Sequence, residues 1–122
     1  MKKIEFTTFL LIVSIATSAQ AEGKNAVRSA EPGVLCDRYI CANKKGLSHV
    51  LTEKHNGMRT AMNAFADKDM DTSEFTFANG IFCDVKEKLC RKDRYYGPNG
   101  QRSAVSVEYT EFLFGKRDSS RL

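Results

Sequence analysis

The four cysteines are the residues of this chain whose type and spacing most directly indicate chemistry. They are Cys36, Cys41, Cys83 and Cys90, and they fall into two pairs whose members are separated by four and six residues. An even number of cysteines in a short chain with an export signal is typical of a disulfide framework. Each pair can bond across a hairpin with a two-residue turn, which predicts the bonds Cys36–Cys41 and Cys83–Cys90. Bonds between the two segments would close a longer loop and are the alternative.

Metal binding is the other chemistry that cysteines and nearby acids can support. Structural zinc sites usually draw their cysteines from two-residue knuckles, which these two gaps do not match. The alternating acids Asp67, Asp69 and Asp71 resemble the start of a calcium-binding EF-hand loop. That loop needs a glycine where this chain has Thr72. The sequence therefore predicts no metal site and no cofactor.

A group of basic and aromatic residues around the second cysteine pair indicates binding. Its members are Lys86, Lys88, Arg91, Lys92, Arg94, Tyr95, Tyr96 and Arg102. Such side chains can hold the phosphate or carboxylate groups of an anionic envelope polymer, while tyrosine rings stack on sugars. Asp84, Glu87 and Asp93 interrupt this group. The alternative is that the charges solubilise the protein and protect a sheet edge.

Catalytic residues are not indicated. The two histidines, His49 and His55, lie six residues apart in a predicted helix and therefore on different faces. If the cysteines are bonded, no thiolate is left to act as a nucleophile. A domain of this size also has little room for a deep cleft. We therefore expect a non-enzymatic protein with no catalytic residues.

The first residues of the chain indicate export. A start with two lysines precedes the apolar run Phe6–Ile15, which is too short to span a bilayer, and small residues follow at Ala19 and Ala21. This pattern predicts a signal peptide over residues 1–21 that is cleaved before Glu22, and a periplasmic location. The mature chain has no second apolar run, so we expect no membrane span. An exported protein is also a poor candidate for nucleic-acid binding.

A hairpin and a meander are predicted to position the cysteines. Asn79-Gly80 favours a type I′ turn, which would place Phe77 opposite Phe82. A turn at Lys86-Glu87 would then place Cys83 opposite Cys90. The turn Arg38-Tyr39 would do the same for the first pair of cysteines.

Two helical regions follow the hairpins. Ser48 is a candidate N-cap for a helix that reaches Gly57. A stripe of Met58, Ala61, Met62 and Phe65 then continues the pattern, either as the second half of one bent helix or as a separate short helix, with the methionines filling the core. Ser103 is the candidate cap of the last helix, which Gly115 ends.

An internal repetition relates the two cysteine regions. Gly33–Asp37 and Gly80–Asp84 share the order glycine, aliphatic, apolar, cysteine, aspartate, and each is followed by a second cysteine and a capped helix. We expect two related hairpin–helix units that share one core, with the two aspartates capping their turns. The fold class is α+β: a small antiparallel meander and a hairpin, packed against two or three helices and stapled by disulfides.

The expected organisation is one domain with irregular ends. Residues 22–32 are polar and lack periodicity, which predicts a flexible lead-in. The single α+β domain is expected over residues 33–115. Residues 116–122 are expected to form a disordered tail.

Four segments together resemble the Fels prophage protein-like family, a YcgJ-related group of small exported enterobacterial proteins. They are residues 33–42, 51–54, 75–91 and 109–115, and the paired cysteine motifs are the specific part of the likeness. The resemblance implies an envelope location in a Gram-negative cell. It implies no activity and carries no functional residue.

The function expected from these observations is binding. The chain has a formal net charge of +4, which is compatible with anionic partners. We expect an uncharacterised periplasmic protein that binds an envelope polymer or a periplasmic protein. The alternatives are a structural or stress-resilience protein without a ligand, and an inhibitor of an enzyme that attacks the envelope.

Overall fold

The computed structural model describes residues 23–116, so the predicted signal peptide and residues 117–122 of the predicted tail lie outside the described residues. The described part contains two antiparallel sheets and three helices. In chain order the elements are β1 (Arg28–Glu31), β2 (Val34–Cys36), β3 (Cys41–Asn43), β4 (Gly46–Leu47), α1 (His49–Asn56), α2 (Met58–Ala64), β5 (Glu74–Thr76), β6 (Phe82–Asp84), β7 (Leu89–Arg91) and α3 (Val107–Phe114). The predicted α+β fold is confirmed.

The first sheet has the strand order β1-β2-β3-β4 and contains the first disulfide. Cys36 lies opposite Cys41, and the turn between them closes through the hydrogen bond from Asp37 N to Ile40 O (3.0 Å). Strand β1 falls within residues 22–32, where the sequence predicts a flexible lead-in. That prediction is not met over residues 28–31, because their backbone pairs with β2.

Side chains also fasten β1 to the end of α1. Glu31 accepts hydrogen bonds from Lys54 Nζ (3.0 Å) and meets His55 Nε2 at 2.7 Å. Hydrogen bonds from Lys54 and then His55 hold the pKa of Glu31 below its ordinary value. Arg28 donates to Asn56 Oδ1 (2.8 Å). Arg28 and Glu31 are among the polar residues that favoured an irregular segment in the sequence, and they attach this segment to α1.

The second sheet has the order β5-β6-β7 and contains the second disulfide. The predicted pairing of Cys83 with Cys90 is confirmed. The predicted pairing of Phe77 with Phe82 is wrong by one residue, because Thr76 lies opposite Phe82. Asn79 does not adopt the positive φ that a type I′ turn requires.

A wider loop replaces that turn because side-chain oxygens accept hydrogen bonds from its backbone N–H groups. Asn79 Oδ1 accepts from Ile81 N (3.1 Å), and Asn79 Nδ2 donates to Tyr109 Oη (2.9 Å). The carboxylate of Asp37, from the first hairpin, accepts from Ala78 N (2.6 Å). These contacts extend the loop over residues 77–81.

Both disulfide predictions are confirmed. The bonds are Cys36–Cys41 and Cys83–Cys90, and all four cysteines are fully buried. Each bond joins directly opposed residues of neighbouring strands. Burial removes the sulfur atoms from solvent, so both bonds belong to the core.

The helical stripe after Gly57 does not face the core as predicted. Gly57 adopts a φ of 95° and separates α1 from α2, so two short helices meet there. Ala61 is buried, but Met58 and Met62 are exposed. The small side chain of Ala61 lets α2 lie against the protein, and the methionines then point away from the core.

The last helix begins three residues later than predicted. Ser106, rather than Ser103, caps α3, and its Oγ accepts from Tyr109 N (3.4 Å). Ser103 Oγ instead accepts from Asp93 N (3.0 Å) and donates to Asp93 O (2.7 Å). The predicted cap residue therefore lies in the loop before the helix.

The two cysteine regions share one core. Leu35 and Ala42 from the first region pack in one cluster with Phe75, Phe77 and Leu113 from the second. A backbone contact reinforces the junction, as Leu47 N donates to Thr72 O (2.9 Å) just before β5. A side chain on Gly46 would clash with the backbone of Thr72, so glycine is required at this close approach.

The repetition seen in the sequence corresponds to a hydrogen-bond pattern that both cysteine regions share. We define the first unit as residues 28–57 and the second unit as residues 74–115. In each unit a serine N-cap donates its backbone N–H to the carbonyl of the second cysteine, at 3.0 Å for Ser48 and 2.7 Å for Ser106. A buried threonine four residues later accepts from the N–H of that cysteine, at 2.9 Å for Thr52 and 2.8 Å for Thr110.

Candidate functional site

The two units differ most in the connection between the second cysteine and the helix cap. Cys41 and Ser48 are seven residues apart, whereas Cys90 and Ser106 are sixteen apart. The flanking pairs correspond, since Ala42 lies opposite Leu47 and Arg91 lies opposite Val105. The second unit therefore inserts nine extra residues between equivalent positions. We call residues 93–103 the long loop.

The long loop forms a small exposed hairpin of its own. Tyr96 lies opposite Arg102, and Gly97 N donates to Gln101 O (2.8 Å). At its base, Ser103 and Asp93 exchange the two hydrogen bonds described above. The loop is therefore ordered by its own contacts although most of its residues are exposed.

Aromatic rings and one arginine form a shallow cleft on this loop. Tyr95 is 71% exposed and Tyr96 is 63% exposed. The guanidinium carbon of Arg102 lies 4.8 Å from the centroid of the Tyr96 ring and 5.8 Å from that of Phe82. The cleft has a volume of about 240 Å³ and is lined by Asp93, Tyr95, Tyr96, Gly97, Gln101, Arg102 and Ser103.

Arg102 holds the Tyr96 ring from one side. A guanidinium over an aromatic face is attracted to the ring, and Glu87 Oε1 lies 3.8 Å from the same guanidinium. The ring is therefore held in place before any ligand arrives. An exposed ring that is already ordered costs little further entropy when it binds a flat ligand face.

The structure divides the predicted basic group into two parts. Arg91 is largely buried, donates to Ser103 O (2.9 Å) and lies 4.0 Å from Glu87. Its Nε has no hydrogen-bond partner among the described residues. Lys86 lies 3.8 Å from Asp71. These contacts show that Arg91, Arg102 and Lys86 are engaged by acids of the protein itself.

The remaining basic side chains are exposed. Within residues 23–116, Lys88, Lys92 and Arg94 have no carboxylate within 4.0 Å. Arg94 lies in the long loop and Lys92 directly before it, whereas Lys88 lies in the turn between β6 and β7. Their charge is therefore available to attract an anionic partner to the tyrosines.

Asp71 is held as a carboxylate on the neighbouring surface. Its Oδ1 accepts from Ser73 Oγ (2.6 Å) and from Ser73 N (2.9 Å). These hydrogen bonds, followed by the charge of Lys86, keep the pKa of Asp71 below its ordinary value. The alternating acids therefore close a turn, and no group of three metal-ligating side chains occurs within the described range.

The histidines are separated in the structure as well as in the sequence. The ring of His49 lies 5.0 Å from that of Phe65, and His55 contacts Glu31. His49 therefore contacts the end of α2, whereas His55 contacts β1. The absence of catalytic activity stays a prediction.

Sequence reasoning missed three polar members of the cleft. Gln101 was not considered, Asp93 was counted only as an interruption, and Ser103 was assigned to the helix cap. The difference in spacing between the second cysteine and the next helix could have identified the loop. That signal is visible only when Ser106 is taken as the helix cap, because Thr110 then corresponds to Thr52 in the repetition.

The fold and the cleft define a small α+β protein with two disulfides and one elaborated surface loop. The family model described as YcgJ protein matches residues 27–114. The uncharacterized protein YcgJ of Escherichia coli (strain K12) is 48% identical over 109 residues, which cover 87% of this chain and 89% of that protein. The chain therefore belongs to the YcgJ family. The predicted relation to a Fels prophage family has no counterpart in these matches and stays a prediction.

No solved structure matches the chain. Among residues 23–116, no helix is long and apolar enough to cross a membrane.

Proposed function

We propose that this protein is exported and binds a polysaccharide of the bacterial envelope through the long loop, without catalysing a reaction. Two fully buried disulfides support export, because such bonds form and persist in oxidising compartments. The predicted signal peptide over residues 1–21 supports the same location.

The main support for this proposal is the nine-residue extension in the second unit. The first unit makes the same connection from a disulfide hairpin to a capped helix with a turn at Lys44-Lys45, so the fold does not require the long loop. The extension also exposes two adjacent tyrosines. Exposed aromatic rings on an ordered loop that the fold does not need favour a binding role.

The chemistry of the cleft fits a sugar. A tyrosine ring offers a flat apolar face for the C–H side of a pyranose, and amide or carboxylate groups such as those of Gln101 and Asp93 can bond its hydroxyls. Exposed Lys92 and Arg94 favour a polymer that carries carboxylate or phosphate groups. Peptidoglycan chains and the saccharide of lipopolysaccharide share this chemistry.

Binding can be measured by following amide NMR shifts while two soluble glycans are added. They are peptidoglycan chains freed of peptide and lipopolysaccharide saccharide freed of lipid, and the arm that binds identifies the source. We expect Tyr95→Ala with Tyr96→Ala to weaken binding at least about tenfold. The matched control is Tyr39→Ala, since that ring is 52% exposed and lies 5.0 Å from Arg38 in the first unit. Equal losses in both variants would contradict the assignment to the long loop.

A second variant tests the loop without relying on one side chain. Residues 93–103 are replaced by the two lysines of the short turn, Lys44-Lys45. We expect this protein to fold with both disulfides, because the first unit folds with that turn, and to lose glycan binding. A folded short-loop protein that still binds, or a wild-type protein that binds neither glycan, would overturn the proposed function.

A further inference from the structure

A second concave surface lies beside the long loop, where the two units meet. This groove has a volume of about 490 Å³. Leu47, Phe75 and Phe82 contribute apolar surface to it, whereas Asp71, Glu74 and Arg94 contribute charge. It therefore combines an apolar lining with both signs of charge.

The charged side chains that line the groove do not all neutralise one another. Asp71 has Lys86 as a partner at 3.8 Å, but within residues 23–116 neither Glu74 nor Arg94 has an opposite charge within 4.0 Å. Both side chains are exposed. An unpaired acid and an unpaired base in one groove complement a ligand that carries both an ammonium and a carboxylate.

The groove adjoins the cleft of the long loop. Arg94 lines the groove, while its chain neighbours Asp93 and Tyr95 line the cleft. Phe82 also lines the groove, and its ring centroid lies 5.8 Å from the guanidinium of Arg102 in the cleft. The two surfaces are therefore neighbours.

We infer that the groove binds a short peptide with an ammonium and a carboxylate, so that the ligand of the protein is a glycan that carries peptides. This inference rests on the proposed binding of a glycan by the long loop. Glu74 receives the ammonium and Arg94 the carboxylate, while the apolar surface accepts aliphatic peptide atoms. Peptidoglycan has this chemistry, whereas a lipopolysaccharide saccharide has no peptide.

The test compares a disaccharide–tetrapeptide prepared from peptidoglycan with the same disaccharide after removal of the peptide. Because the sugar holds the peptide at a high effective concentration, we expect the peptide to tighten binding at least about tenfold. Glu74→Gln with Arg94→Gln should remove this gain, so that the variant binds the two disaccharides with equal affinity. Glu74→Gln alone, which leaves the long loop intact, should reduce the gain without changing the affinity for the peptide-free disaccharide. The matched control is Glu53→Gln with Arg59→Gln, which changes two exposed charges on α1 and α2 and keeps the same net charge.

The possible failures are distinguishable. Equal affinity for the two disaccharides would overturn the peptide inference and leave glycan binding in place. A gain that persists in Glu74→Gln with Arg94→Gln would also overturn it, because the peptide would then bind elsewhere. No measurable affinity for the peptide-free disaccharide or for longer peptide-free chains would overturn the proposed function itself.

Discussion

The two units of this protein are built alike but differ in the connection that follows the second cysteine. Each has a disulfide between paired strands, a serine cap bonded to the second cysteine and a buried threonine that accepts from the same residue. In the first unit the connection after the second cysteine is a tight turn. In the second unit it is the long loop, so only the second unit presents this cleft.

The aspartates at the two disulfide hairpins differ in the opposite sense, because here the first unit makes the additional contact. Asp84 accepts from Lys86 N (2.8 Å) within its own hairpin. Asp37 accepts from Tyr39 N (2.7 Å) and Ile40 N (2.8 Å) of its hairpin, and its second oxygen also reaches the other unit at Ala78 N. The first unit therefore holds the second in place, and the second carries the elaborated surface.

The largest expected effect comes from removing the aspartate that joins the units. We expect Asp37→Ala to lower the free energy of unfolding by about 3 kcal/mol, because it leaves three backbone N–H groups without their acceptor, and Asp84→Ala by about 1 kcal/mol. Chemical denaturation at neutral pH measures both. Equal losses for the two variants would contradict the distinction between a joining and a local aspartate.

A smaller, equal effect is expected from the two buried threonines. Thr52→Val and Thr110→Val each preserve shape but leave the N–H of Cys41 or Cys90 without an acceptor, which costs about 2 kcal/mol in each case. Denaturation of the single variants should give losses that agree within about 0.5 kcal/mol. A clear difference would show that the two units are not energetically equivalent, although their hydrogen-bond pattern is shared. Thr60→Val, at a half-buried position on α2, provides a control for the substitution.

The smallest effect is a pH dependence in the first unit. The pKa of Glu31 is lowered in the folded protein by Lys54 and then His55, so its contribution to stability is fully present above the ordinary value of 4.5 and is lost as the pH falls through the lowered value. Amide exchange of β1 should therefore increase on acidification relative to that of β7, which is remote in the chain from both acids with a lowered pKa, Glu31 and Asp71. Lys54→Gln should shift the NMR titration of Glu31 upward. An unchanged titration in that variant would contradict the assigned cause.

Much of the local structure could be predicted from the sequence. The pairing of Cys83 with Cys90, the Ser48 cap and the end of α3 at Gly115 depend on contacts between residues close in the chain, and all are confirmed. The exposure of Met58 and Met62 was not predictable from periodicity alone, because α2 contacts the rest of the protein only through part of its surface.

The candidate site was predicted in composition but not in arrangement. The sequence indicated the basic and aromatic residues, but it could not show that Glu87 lies near both Arg91 and Arg102. It also counted these arginines together with Lys92, whose charge is exposed. The separation of structural from available cations depends on how the long loop folds back over the second hairpin.

The order of residues by itself determined the sulfur pairing and the helix caps, because hairpin turns and caps are formed by groups a few positions apart. The tertiary structure decided the register of β5 against β6 and the junction of the units. Asp37 and Ala78 are 41 residues apart, and their hydrogen bond forms only once both hairpins share a core. The tertiary structure also decided which basic side chains are neutralised within the protein, because the formation of an ion pair depends on distances that packing sets.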